Sequence, residues 1–196
     1  IDLWVLITRE YNEDPVVKSL LPPTWLNARR RTIIVFSKTK KEIDAVAITR
    51  YNFGNNIRSI WDKEKQPDQW EALSDYITSK NPKRIGINYS DTFALADGIT
   101  RTEYELFMQA LPPKFQDKVV SAENLAVGWL ETRSQKEITI YQQICRIAHE
   151  ILAAGLTSEV IQPGITTTND VAWWYRDRIR ELKLTTWFHP SVSIQR

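Results

Sequence analysis

Apolar residues in the first part of the chain fall into short, nearly unbroken runs. Asp2 to Thr8 (D-L-W-V-L-I-T) is one such run, of strand length, as expected for a strand covered on both faces. Asn12-Glu13-Asp14-Pro15 breaks it with turn chemistry, and Pro22-Pro23 marks a second loop. Arg31 to Ser37 and Ile43 to Thr49 are rich in β-branched residues. With the short Lys-rich link Lys38 to Glu42 between them, they predict an antiparallel hairpin. After a turn at Asn52 to Asn56, Ile57 to Trp61 reads as a short strand. From Asp68 the period changes: Trp70, Leu73, Tyr76 and Ile77 recur at helical spacing until Asn81-Pro82. Arg84 to Asn88 is a strand, Thr100 to Leu111 a helix ended by Pro112-Pro113, and Lys118 to Ser121 a last strand. A hairpin followed by alternating strands and helices predicts an α/β domain with a mixed sheet flanked by helices.

A boundary falls near Leu125 to Arg133, so the chain divides into residues 1–127 and 128–196. Ser134-Gln135-Lys136-Glu137 has the spelling of a capping box. Tyr141, Ile144, Cys145, Ala148, Ile151 and Leu152 then trace a stripe along one helix, with Gly155 at the place of a left-handed C′ residue. A second helix opens at Thr167 to Asp170 and carries Val171, Trp174, Tyr175, Arg178 and Leu182 on one side. Thr185 to Ile194 is expected to close the chain as a strand.

The chain has 196 residues, 42% of them hydrophobic and eight of them Trp, enough for a sizeable core. With 26 basic and 24 acidic residues the formal charge is +2, which argues against a nucleic-acid partner. Arg29-Arg30-Arg31 is read as a solvated strand edge. The single cysteine, Cys145, excludes an internal disulfide and a Cys-rich zinc site, and is expected to be an inert core thiol. No window reaches the roughly 18 apolar residues of a membrane span. The only Met is Met108, which implies that something upstream has been removed, and the compartment stays open. Of the two histidines, His149 begins a His-Glu-x-x-His spelling that fails because position 153 is Ala, and His189 precedes Pro190. Both are read as packed or solvated. No P-loop, G-x-G-x-x-G or G-x-S-x-G motif occurs. Asn88-Tyr89-Ser90 spells a glycosylation sequon, and Trp173-Trp174 with Trp187 reads as core rather than as a base-stacking platform.

Three pieces occur in a telling order: Arg133-Ser134-Gln135-Lys136-Glu137-Ile138, then Pro163-Gly164-Ile165-Thr166, then Phe188-His189-Pro190. In that order they resemble the opening of the catalytic domain of the pita-bread (M24) metallopeptidases, the family of Xaa-Pro aminopeptidases, prolidases and creatinase. The opening D-L-W-V-L-I-T-R-E-Y-N-E-D-P is similar to a bacterial Xaa-Pro peptidase branch. The resemblance implies a creatinase-like amino-terminal domain over 1–127 and an incomplete pita-bread domain over 128–196. It implies a parent hydrolase that acts on peptides with proline next to the amino-terminal residue, a homodimer, and two divalent metal ions (Mn, Co or Zn). The family's ligands, two Asp, one His and two Glu, lie further along than this chain reaches. No catalytic, cofactor or metal residue is therefore assigned within it, and the 196 residues alone are expected to be inactive. Arg9, Glu10, Tyr11 and Asn12 are candidates for a wall near the partner's active site, against a plain reading as a polar loop. The alternative is a non-catalytic protein of the same fold that binds protein. Exposed apolar surface is expected near Trp173, Trp174 and Trp187.

Overall fold

A computed structural model describes residues 1–39, 42–54 and 57–194 and divides the chain into two compact units, 1–132 and 133–196. Lys40, Lys41, Asn55 and Asn56, within the expected linker and turn, lie outside the described residues, as do Gln195 and Arg196.

The first unit begins with β1 (Leu3–Thr8), every residue of which is buried. Its alternation sends Leu3, Val5 and Ile7 to one face of a sheet and Trp4 and Leu6 to the other. A short helix, α1 (Pro15–Leu20), follows. Asp14 caps it, its Oδ1 accepting from the N–H groups of Val16 (2.8 Å) and Val17 (3.1 Å), and Pro15 sits at the first helical position. The Asn12 to Pro15 turn is thus also a helix start. β2 (Thr32–Lys38) and β3 (Ile43–Ile48) form the expected antiparallel hairpin, with Ile33 opposite Ile48 and Lys38 opposite Ile43. β4 (Arg58–Ser59) adds a short parallel edge to β3.

Asp68 caps α2 (Gln69–Lys80) through the Trp70 N–H, and Asn81 ends it in the left-handed conformation, φ 45°. β5 (Ile85–Ile87) then pairs parallel to β1. α3 (Arg101–Ala110) is capped by Thr100, and Pro113 opens a further turn of helix, α4 (Pro113–Gln116), rather than only ending the previous one. β6 (Val119–Ser121) pairs parallel to β5, and α5 (Glu123–Glu131) runs across the stretch where the sequence suggests a boundary.

The sheet order is β4-β3-β2-β1-β5-β6. Only β2 runs against the rest, so the carboxyl ends of five strands gather at one edge. On one face Leu73 and Ile77 of α2 and Phe107 of α3 pack on Val35, Val46 and Ile85. On the other, Val16 and Val17 of α1 and Ala126 of α5 pack on Leu6 and Ile34. Each buried Val, Leu, Ile or Phe among these contributes about 1.5–3 kcal/mol. Helices on both faces explain why β1 is apolar without a break from Leu3 to Ile7.

The second unit contains α6 (Gln135–Gly155) and α7 (Thr168–Glu181). Both open with reciprocal capping boxes, Ser134 with Glu137 and Thr167 with Asp170. Gly164 takes a positive φ of 78°, as its place in Pro-Gly-Ile-Thr suggests. Two expectations fail here. Gly155 is not left-handed; it is the last helical residue, and it is needed because the Tyr175 ring lies against it. A Cβ there would meet Tyr175 Cε1 at 2.4 Å. Thr185 to Ile194 forms no strand, since no described residue of this unit supplies a second strand to pair with it. The expected apolar exposure is present at Trp173 and above all Trp187, which is 86% exposed, whereas Trp174 is half-buried. The stripe of α6 is largely exposed too, at Ile144, Tyr141 and Leu152.

Candidate functional site

The carboxyl-end edge of the sheet carries a polar cavity of about 870 Å³. Residues just past β1 (Arg9, Glu10, Tyr11), just before β2 (Arg30, Arg31) and just past β3 (Arg50) line it. Trp61, Pro67 and the start of α2 (Asp68, Gln69) complete the wall. Strand direction is what assembles this set. β1 and β3 end where β2 begins, so segments far apart in sequence meet at one edge.

Beneath the cavity lies Glu103, only 1% exposed, in the first turn of α3. Its carboxylate accepts from Arg31 Nε at 2.6 Å and from Arg31 Nη2 at 3.1 Å, a two-pronged guanidinium–carboxylate pair. Arg9 Nε stands 3.6 Å from the same carboxylate. The Arg31 guanidinium also lies over the Trp70 ring, 4.7 Å from its centre. Gln69 Nε2 donates to the carbonyls of Arg31 (3.1 Å) and Ile48 (2.6 Å), tying the β2 and β3 ends to α2. Two residues at the rim, Tyr11 (φ 68°) and Arg30 (φ 59°), hold left-handed backbone, which costs about 1–2 kcal/mol each for residues with a Cβ. The Glu10 N–H donates to the Arg30 carbonyl at 3.0 Å, which locks the two loops together.

The arginine run is therefore no uniform solvated edge. Arg31 is fixed on Glu103, Arg29 lies over the rings of Trp25 (4.5 Å) and Tyr51 (5.4 Å), and only Arg30 reaches outward, to Glu10 at 4.0 Å. Of the four wall candidates, Arg9, Glu10 and Tyr11 line the cavity, while Asn12 instead closes the β1 turn through its N–H to the Arg9 carbonyl at 3.1 Å. Sequence reasoning missed Glu103, Gln69 and Arg50. Thr100-Arg101-Thr102-Glu103 spells a capping box, but the Glu103 carboxylate turns to the two arginines.

A second polar constellation is buried beside α1. Asn88 Nδ2 donates to Asp14 Oδ2 and Trp4 Nε1 donates to Asn88 Oδ1, each at 2.8 Å. Burial pushes the Asp14 carboxyl above its ordinary value, opposed by the hydrogen bonds from Asn88, Val17 and Val16. Asn88 is buried and hydrogen-bonded through both its side-chain oxygen and nitrogen, so the sequon around it is not an exposed acceptor. His149 and His189 are both exposed and Cys145 is half-buried. Among the described residues no group of three His, Cys, Asp or Glu is placed to hold a metal ion, and no helix is long and apolar enough to cross a membrane.

Solved structures share this architecture. An Xaa-Pro dipeptidase from Bacillus anthracis superposes on 91% of the chain with a TM-score of 0.54 at 16% identity. An X-Pro aminopeptidase from Thermotoga maritima MSB8 superposes on 92% with a TM-score of 0.57 at 14% identity. The chain shares its fold with part of each of these two proteins. The chain spans 45% and 47% of the lengths of these two proteins, less than half of each. No protein-family model matches the sequence, and no curated protein matches it significantly. At such identities the likeness is one of fold, and the site has to be argued from its own residues.

Proposed function

We propose that the chain is the amino-terminal portion of a metal-dependent Xaa-Pro aminopeptidase or dipeptidase. In this reading the first unit bounds the space into which peptides enter and helps to build a homodimer. The metal ions and the hydrolytic chemistry belong to a segment outside these 196 residues, and the chain by itself does not hydrolyse peptides. The observation that carries the reading is the fold shared over nine-tenths of the chain with two proteins of that activity. The ordered match from Arg133 through Pro163-Gly164 to Pro190 supports it from the sequence side.

The test is to read the frame beyond Arg196, purify the longer protein, and assay it with Mn²⁺ on peptides whose second residue is proline. Two Asp, one His and two Glu in the family's order, with hydrolysis after the first residue, are the expected result. A frame that ends at Arg196, or continues with those positions replaced and no hydrolysis, overturns the enzyme reading and leaves a binding module. Hydrolysis by residues 1–196 alone overturns the claim that the chain is inactive.

A further inference from the structure

The arginine-lined cavity at the strand-end edge holds more cationic donors than its own acids use. Arg31 is committed to Glu103 by two hydrogen bonds and to the Trp70 face. Arg9 leans on the same carboxylate at 3.6 Å but stays 57% exposed. Arg30 reaches Glu10 only at 4.0 Å, and Arg50 has no ion-pair partner among the described residues. Asp68 is occupied as the cap of α2, accepting from the Trp70 N–H at 2.8 Å. The guanidinium forks of Arg9, Arg30 and Arg50 therefore keep unpaired N–H groups along a cavity of about 870 Å³, large enough for a small molecule.

We infer that this cavity binds a small ligand through an oxyanion, a carboxylate or a phosphate. A planar guanidinium presents paired N–H groups at the spacing of two oxyanion oxygens, and several such groups around one cavity select for this shape as well as for charge. Glu103 acts as a positioning residue: buried beneath Arg31 and Arg9, it fixes one guanidinium and steers the other. The left-handed backbone at Tyr11 and Arg30 is the local distortion that brings the two loops to the rim. Tyr11, 80% exposed there, is placed to cover the remainder of the ligand. The inference does not rest on the peptidase reading, since it needs only the first unit.

Titration calorimetry on the 196-residue protein at low salt tests it with three probes: inorganic phosphate, a short peptide with a free carboxyl terminus, and the same peptide amidated. The expected result is saturable one-to-one binding of phosphate or of the free-acid peptide. Arg50→Gln should weaken it about tenfold, the size of one lost charge-assisted contact, with an unchanged melting temperature. Arg101→Gln, which removes an exposed arginine that pairs with Glu105 and does not line the cavity, should leave it unchanged. Preference for the free acid over the amide, with no phosphate binding, identifies the oxyanion as a carboxylate; competition between phosphate and the free acid identifies a general oxyanion site. Absence of saturable binding by both anionic probes overturns the inference. So does equal weakening by Arg50→Gln and Arg101→Gln, which would mark a diffuse charge effect.

Discussion

Replacing Glu103 with Gln keeps the shape of the side chain and removes its charge, which isolates what the buried carboxylate does for the first unit. In the native protein it accepts two hydrogen bonds from Arg31, at 2.6 and 3.1 Å, and a longer approach from Arg9 at 3.6 Å. Gln offers Arg31 one acceptor oxygen and turns an amide N–H₂ against the second guanidinium donor. Full burial of both partners would put the loss at about 3–5 kcal/mol, while an exposed pair is worth about 0–1. Glu103 is 1% exposed and the Arg31 side chain 27%, so water partly rescues the arginine and the cost falls between, at about 2 kcal/mol. For a unit of this size that lowers Tm by roughly 5–10 °C. Urea unfolding followed by tryptophan fluorescence reads the change as a shifted midpoint at constant slope. Arg9→Gln, at an exposed and longer contact, should cost under about 1 kcal/mol. A double-mutant cycle between Glu103→Gln and Arg31→Gln should return a coupling above about 1 kcal/mol. A Glu103→Gln protein within about 0.5 kcal/mol of the parent, or a cycle with no coupling, would refute the idea that this pair holds the cavity wall together.

Other residues make separate claims. Gly155→Ala should destabilise the second unit by about 1–3 kcal/mol, because the new Cβ would overlap Tyr175 and disturb its hydrogen bond to the Leu152 carbonyl. Gly128→Ala in α5, where nothing lies within 4 Å, should be neutral or stabilising by up to about 1 kcal/mol; equal urea midpoints for the two variants would count against the packing account. The Asp14 carboxyl is raised above 3.8, so the folded state holds its proton more tightly than the unfolded state does. Stability from this group therefore falls as pH climbs from 3.8 through its raised value, and Asp14→Asn should remove that slope when variant and parent are compared by urea unfolding across the same pH range. Asp2, Asp62, Glu137 and Asp170 are lowered by hydrogen bonds and act oppositely, losing stability as pH falls; the comparison cancels them. Finally, the exposed Trp173, Trp187 and α6 stripe should bind a hydrophobic dye and drive association in sedimentation, and a clean monomer without dye binding would contradict this.

What the sequence determined by itself was local in origin. The unbroken apolar run of β1, the β2–β3 hairpin, the period of α2 and the two capping boxes all depend on residues within a few positions of one another. Local signals can also mislead. Asp14-Pro15 reads equally as a turn and as a helix start, and only packing of Val16 and Val17 against Leu6 and Ile34 selects the helix. The final stretch has strand composition but no partner, and composition cannot provide a hydrogen-bonding edge. Gly155 looks like a helix terminator because Gly often is one, while its actual constraint is the ring of Tyr175, twenty residues away. The cavity is the clearest case of what tertiary structure alone decided. Arg9, Arg31, Arg50, Gln69 and Glu103 share no spacing that a linear reading could find. They meet because strand order and direction bring the ends of β1 and β3 to the start of β2, and because the buried Glu103 carboxylate is held there by Arg31 with Arg9 close by.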